Sequence, residues 1–240
     1  MSVRRAIILA AGIGARLRPV IEDRPKGLID IGGETLVGRS VRLLRAAGVS
    51  SIAIVVGHRA GDYERFADGQ TDIHLLLNAA YASSGSMASL AIGLADVDED
   101  VFVLESDIAY ERRALDTLLH ASLDATLMSG PTRAGDEVWV HAPGGALRAM
   151  SKTPADLPSI DGEFVGISRL SPAGCAAMRD AYARFERAHG HGRMDYETGA
   201  LVDVASRLPV AAILVPDLLW GEIDDERHLA RMRADVWPRL

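Results

Sequence analysis

Short apolar runs separated by polar, glycine-marked breaks recur along the first half of the chain. Residues 6–10 (AIILA), 51–56 (SIAIVV), 73–77 (IHLLL) and 100–104 (DVFVL) are too short for helices. They are also too continuously aliphatic for one-sided strands, so each is read as a strand buried on both faces. Between them the period turns helical. Over 35–47, Val37, Val41 and Leu44 form one stripe, with Arg39, Arg42 and Arg45 off it and Gly48 where a helix would end. A short helix is expected over 62–66, and a small-residue loop over 78–90 (NAAYASSGSMASL) entering a helix that runs through Leu94. Leu115, Leu118 and Leu119 mark the core side of another helix. From residue 125 the rhythm shortens to strands at 125–129, 137–141, 146–151 and 163–170, separated by Gly/Pro turns and expected to be partly antiparallel. Helices over 173–188 and 196–207, a strand over 210–215 and a C-terminal helix complete the prediction. This alternation predicts an α/β fold, Rossmann-like and three-layered, with a mixed, mostly parallel sheet and helices on both faces. One domain over 1–240 is expected, divided into halves 1–123 and 124–240.

Composition narrows the function. At 48% apolar residues the chain can bury a continuous core, yet it has no run near the ~20 apolar residues that cross a bilayer, so no membrane association is expected. The short apolar run after Arg4-Arg5 passes into a Gly/Arg loop without a signal-peptide cleavage region. The single cysteine, Cys175, has no partner for a disulfide, which points to a cytoplasmic protein with a buried, apolar thiol. His189 and His191 are the one close histidine pair, without third and fourth zinc ligands beside them. A net charge of −7 argues against nucleic acid as partner. Against that acidic background Arg16, Arg18, Arg24 and Lys26 gather in one loop.

That loop follows the first strand through Ala11-Gly12-Ile13-Gly14. Small residues let the backbone approach a ligand, its N–H groups can face an anion, and long cations can close over it. The spacing is neither common nucleotide fingerprint. A third dinucleotide-site glycine would fall at Leu17, and no Gly-Lys-Ser/Thr is present. On residues alone, a capped strand with solvated arginines remains open.

The longer pattern goes further. LAAGIGARLRP, followed by RPKGLIDIGGETLVGRSVRLLRAAGV, resembles the signature of nucleotidyltransferases that activate sugars and small phosphorylated alcohols with a nucleoside triphosphate. The resemblance implies the nucleotide-diphospho-sugar transferase type of fold, with the nucleotide on 1–123 and the acceptor on 124–240. It implies nucleotide contacts from Leu9, Ala10, Ala11, Gly12, Gly14, Arg16 and Lys26. Asn78, Ser84, Gly85, Ser86 and Ser89 would border the nucleobase and acceptor, with a plain Ser-capped loop as the alternative. Asp107, after a strand end, and Asp224, in Trp-Gly-Glu-Ile-Asp-Asp, would be the ligands of Mg²⁺. Lys26, Arg16 and Lys152 are the implied catalytic cations, Lys152 toward the acceptor's phosphoryl group.

In such a reaction an acceptor phosphate or phosphonate oxygen attacks the α-phosphorus and pyrophosphate leaves. The acceptor's second pKa lies near ~6, so no side-chain base is needed. Asp136, Glu137, Trp139, Tyr196, Glu197 and Trp220 offer carboxylates and aromatic faces to an amine-bearing acceptor. The segments SGSMASL, ESD, DEVWV, SK, EFVGIS, DYE and WGEIDD resemble the CTP-using phosphocholine and 2-aminoethylphosphonate cytidylyltransferases. Asp136 and Glu137 tilt the expectation toward 2-aminoethylphosphonate, whose ammonium they could hydrogen-bond. Expected partners are therefore CTP and a small phosphonate or phosphate acceptor, with a homodimer left open. A sugar-1-phosphate nucleotidyltransferase would share the first half. A non-catalytic regulatory homologue would lose the lysine or a metal aspartate, all of which are present. An NAD-linked oxidoreductase lacks its third glycine.

Overall fold

The structure is a computed structural model describing residues 3–17, 24–122 and 124–240. Its centre is four parallel strands in the order β5 (Ile73–Leu77), β4 (Ser51–Val56), β1 (Arg5–Ala10) and β6 (Val101–Glu105). Ala6 lies opposite Ile52 on one side and Phe102 on the other. The sheet continues through β11 (Gly162–Leu170), antiparallel to both β6 and β8 (Asp124–Ser129), and ends at β12 (Val210–Val215), parallel to β8. β9 (Trp139–His141) and β10 (Ala149–Ser151) attach at the start of β11.

Side chains alternate across a strand, so β1 feeds two cores. Ala6 and Ile8 pack with Val37, Val41 and Leu44 of α1 (Leu36–Ala46), Tyr63 of α2 (Ala60–Ala67) and Leu115 and Leu118 of α4 (Arg113–Leu119). Ile7 packs on the other face with Met87 and Leu90 of α3 (Ser86–Gly93) and with Cys175 and Met178 of α5 (Pro172–His189). α1 begins where Thr35 Oγ1 accepts the Gly38 N–H at 3.0 Å and ends before Gly48 at φ +93°. Burial pushes the Cys175 thiol up to about 12, in keeping with an inert apolar role. Among the described residues no helix is long and apolar enough to cross a membrane.

Several local expectations change. Arg39, off the apolar stripe, is nonetheless buried, and its guanidinium donates to the Tyr110 carbonyl at 3.3 Å. The expected strands over 137–141 and 146–151 shorten to β9 and β10. Gly144 and Gly145, at φ +64° and +79°, turn the chain between them. The helix expected over 196–207 is a π-helical stretch, Tyr196–Leu201, running into α6 (Val202–Ala205). An unanticipated two-stranded ladder joins β7 (Ile108–Tyr110) to β13 (Trp220–Glu222), with Glu222 opposite Ile108. Three-residue strands are too short to carry a period. The final short helix, α7 (Glu226–Arg231), is capped by Asp225, which accepts the His228 N–H at 2.8 Å.

Glu163, buried on β11, accepts from the Thr132 N–H at 2.5 Å and the Thr132 hydroxyl at 2.8 Å. Burial lifts its pKa from 4.5 to about 7, with the Thr132 bonds pulling the other way. The folded protein therefore holds a proton that the unfolded chain releases. Glu163's contribution to stability is complete below its unfolded pKa and is lost as pH rises through the folded value. Glu163→Gln, which mimics the protonated carboxyl, should gain thermal stability relative to the parent between about pH 5 and 8. A melting-temperature difference constant with pH would refute this.

Candidate active site

A cavity of about 440 Å³ opens at the carboxyl ends of β1 and β6, where parallel sheets offer their loops to ligands. Its floor is the turn after β1. Gly14 takes φ +62°, and a Cβ there would stand 3.0 Å from Lys26 Cγ, so the glycine supplies both the backbone conformation and the room for the lysine. Lys26 opens the short turn Lys26–Leu28 directly after Pro25. Its ammonium lies 3.2 Å from Asp107 and also bonds Asp224. Arg16, largely exposed, reaches Asp224 at 3.0 Å and Asp136 at 3.6 Å.

The aspartates are brought together by backbone. Asp107 follows β6 and precedes β7, while Asp224 follows β13, and the Ile223 N–H donates to the Asp107 carbonyl at 2.9 Å. Burial alone would lower the pKa of Lys26, but the charges of Asp107 and Asp224 and its bonds to them raise it well above its ordinary value. Burial likewise works against ionised Asp224, yet the charge of Lys26 and its bond hold it below the usual carboxylate range.

Other acids are less fully compensated. Burial, then the charges of Asp107, Glu105 and Asp224, push Glu222 up to about 10. Glu105 is raised well above its usual value by burial and by Asp107 and Glu197. Burial also raises Glu197. Both oxygens of Asp136 are shut from solvent without a hydrogen-bond partner, and burial raises its pKa. Asp136, Glu222, Asp224 and the buried His228 each place a ligand atom within 4.8 Å of the others.

The loop after β5 forms another wall. Asn78 is buried and donates to Ser84 at 3.2 Å and Ser89 at 3.0 Å, while its Oδ1 accepts the Ala80 N–H at 2.9 Å. Its side chain thus orders the loop. Gly85 packs under residue 194, and a Cβ there would lie 2.3 Å from the Met194 carbonyl oxygen. Ser86 Oγ accepts the Tyr196 N–H at 2.9 Å and donates to Glu197 at 3.4 Å.

Leu9, Ala10, Ala11, Gly12, Gly14, Arg16, Lys26, Asn78, Ser84, Gly85, Ser86 and Ser89 all line this one cavity. So do Asp107, Asp136, Lys152, Tyr196, Glu197 and Asp224. Three expected acceptor residues, Glu137, Trp139 and Trp220, are not among its lining. Asp136 and Val138 line the cavity, while Glu137 and Trp139 lie outside the lining. Glu137 instead accepts the Gly135 N–H at 3.1 Å. Trp220 lies deeper along β13, buried in the core, with Nε1 donating to Ser129 Oγ at 2.8 Å. Arg24 is exposed and outside the lining, and Arg18 lies outside the described residues. The sequence reading missed Glu105, Glu222, Phe164, Tyr63 and Tyr81, which also line the cavity. Glu105-x-Asp107 and Glu222-x-Asp224 share an alternate spacing that could have revealed the two glutamates.

The inositol-1-phosphate CTP transferase from T. maritima superposes with a TM-score of 0.81 at 20% identity, covering 99% of this chain and 95% of that one. The likeness gives this chain the nucleotide-diphospho-sugar transferase fold. Residues 6–157 match the MobA-like NTP transferase domain, and the chain belongs to that family. A CMP-5'-(3-aminopropyl)phosphonate synthase of Streptomyces rubellomurinus is 29% identical over 238 residues, covering 92% of this chain and 37% of the relative. A choline-phosphate cytidylyltransferase of Streptococcus pneumoniae is 34% identical over 86 residues, covering 36% of this chain and 37% of the relative. A 2-aminoethylphosphonate cytidylyltransferase of Lancefieldella rimae is 28% identical over 104 residues, covering 43% of this chain and 42% of the relative. Each of these three matches spans less than half of the relative's own length.

Lys26 neutralises two carboxylates, so its loss should cost stability as well as any activity. Lys26→Met should destabilise the protein by about 2 kcal/mol near neutral pH, the scale of a charged hydrogen bond removed from a part-buried site. The depressed pKa of Asp224 means that its contribution is present above about 3.8, its unfolded value, and is lost as pH falls through the folded one. The stability gap between parent and Lys26→Met should therefore close on acidification. Denaturant titrations at a series of pH values measure it, and an equal gap throughout would refute the ion-pair account.

Proposed function

We propose that the protein is a cytidylyltransferase, moving CMP from CTP onto a small amino-bearing phosphonate or phosphate with release of pyrophosphate. 2-Aminoethylphosphonate is the favoured acceptor and phosphocholine the next. The observation that carries this reading is the convergence of Lys26, Asp107 and Asp224 beside the turn after β1. Supporting names come from relatives that make or use CMP-linked aminophosphonates and choline phosphate.

The cavity wall has six acids (Glu105, Asp107, Asp136, Glu197, Glu222, Asp224) against three cations (Arg16, Lys26, Lys152) among the described residues. A triphosphate cannot enter so acidic a cavity without additional positive charge. Asp107 and Asp224 would hold Mg²⁺; Asp136, Glu222 and His228 cluster with Asp224, and the oxygens of Asp136, which accept no hydrogen bond although Arg16 lies 3.6 Å away, fit such a role. When bound, the ion would supply charge neutralisation to the reacting phosphates. Arg16 and Lys26 neutralise the triphosphate and leaving pyrophosphate, the turn at Gly12 and Gly14 admits the phosphates, and Lys152 draws in the acceptor. The acceptor oxygen forms the new bond to the α-phosphorus as the bond to the β-phosphoryl oxygen breaks. The nucleophile is already ionised, so catalysis rests on positioning and electrostatics.

A matrix of CTP, UTP and dTTP against 2-aminoethylphosphonate, phosphocholine and glucose-1-phosphate, read as pyrophosphate release with Mg²⁺, tests the reading. CTP with an amino-bearing acceptor should give the highest kcat/KM, and preference for glucose-1-phosphate would overturn the substrate assignment. Asp107→Ala and Asp224→Ala should each cut Mg²⁺-dependent turnover by about 10³-fold, comparable to loss of a key transition-state contact. A fully active mutant would remove that residue from the metal site.

A further inference from the structure

One part of the cavity wall is not used by the chemistry above. Glu105 ends β6, and Tyr196 and Glu197 begin the π-helical stretch. No lysine or arginine among the described residues reaches ion-pair distance of either glutamate. Lys152 is the cation whose charge Glu197 feels. Tyr196 is 1% exposed, and its hydroxyl is buried without a hydrogen-bond partner of good geometry, facing Glu105. Phe164 meets the Tyr196 ring edge-on at 6.1 Å and adds an apolar surface.

The fold is bent to admit Glu105. Gly166 lies inside the fully buried strand β11 at φ +81°, where the pairing with β8 shifts between Phe164 and Ser168. A Cβ at Gly166 would stand 2.6 Å from Glu105 Oε2. A positive-φ glycine inside a strand weakens it, and bulges of this kind re-aim side chains beside functional sites. Here the space created is filled by a carboxylate, not by an apolar side chain.

We propose that Glu105, with Tyr196 and Glu197, is the seat for a primary ammonium group on the acceptor, and that Glu105 sets a preference for primary amines. This rests on the cytidylyltransferase reading and deepens it. A primary ammonium carries three N–H donors, and the wall presents three acceptor groups: two carboxylates and a phenolic oxygen. A quaternary ammonium has no N–H to give, and a neutral hydroxyl brings no charge, so either leaves buried acceptors unpaired. Asp136, the residue expected to take this part, is engaged with Arg16 and packs against His228, and Glu137 lies outside the cavity lining. The short alkyl chain of the acceptor would lie against Phe164.

The test compares kcat/KM for 2-aminoethylphosphonate, its N,N,N-trimethyl derivative and 2-hydroxyethylphosphonate, with CTP and Mg²⁺, in the parent and Glu105→Gln. The parent should prefer the amine by about 10³-fold or more, as sites built to hydrogen-bond a substrate N–H reject analogues lacking it. Glu105→Gln should shrink the amine-to-hydroxyl ratio by about 100-fold, the scale of one charged hydrogen bond with its pairing lost. Equal use of all three acceptors by the parent, or an equal proportional loss on all three in the variant, would overturn the assignment and leave the reaction class standing. Turnover of glucose-1-phosphate alone would overturn both. If Glu105→Gln does not fold, Tyr196→Phe is read in the same way. Its amine-to-hydroxyl ratio should fall about tenfold for one lost acceptor, and an unchanged ratio would overturn the proposal.

Discussion

The Lys26 ammonium is shared by two aspartates, one 81 and the other 198 residues away in sequence. Neither could be held there by its own side-chain preferences. The ladder between β7 and β13 sets the register, and the Ile223 N–H on the Asp107 carbonyl leaves Asp224 one residue from that bond. A slip of one residue in that ladder would turn Asp224 to the other face and leave Lys26 with one partner. The positive φ of Gly14 then clears the space that the lysine crosses. Three backbone features thus fix three charges, and low solvent access makes the geometry matter because the pairing is poorly screened.

Charge elsewhere in the cavity is left uncompensated to different degrees. Burial and the surrounding carboxylates push the pKa of Glu222 up to about 10, which eases repulsion around Asp107 and Asp224. Glu163 is also buried, but on Thr132 donors, and its pKa rises only to about 7. The difference between the two glutamates is what faces them: hydroxyl and amide donors for one, other carboxylates for the other. Acids packed together without donors are a costly arrangement that a bound cation would relieve.

How much of this could be read from the chain depends on the range of the interaction. The first strand, the glycine turn and Lys26 are contiguous, so local chemistry and the family pattern located them. Thr35 and Gly48 bounded α1 because capping acts within a turn of helix. Asp107 and Asp224 were marked by motif, but their common cation was not, since the β7–β13 ladder is made of three-residue strands with no period to detect. Trp139 and Trp220 lie outside the cavity lining, a placement that residue type alone does not reveal. Val138, beside Trp139, lines the cavity, and Trp220 satisfies its N–H on Ser129 in the core. Glu105 escaped notice because its significance depends on a glycine 61 positions later on a neighbouring strand.

That neighbour explains why the cavity sits where it does. β6 pairs with β1 on its parallel side and with β11 on its antiparallel side, so the last residues of β6 lie at the seam between the two strand directions. At such a seam a parallel strand leaves the sheet while its antiparallel neighbour enters it, and the loops diverge to leave a crevice. Glu105 and Asp107 project into that crevice two residues apart. One is tied through Lys26 to the turn after β1, and the other is given room by Gly166 on β11. The end of β6 and the residue two places beyond it thus enter one cavity with different supports. A change at the Gly166 bulge would move Glu105 while leaving the Lys26–Asp107–Asp224 contacts anchored by a different pair of strands. In physical terms, the fold supports two neighbouring carboxylates of one cavity through different strands, so the position of one can change without that of the other.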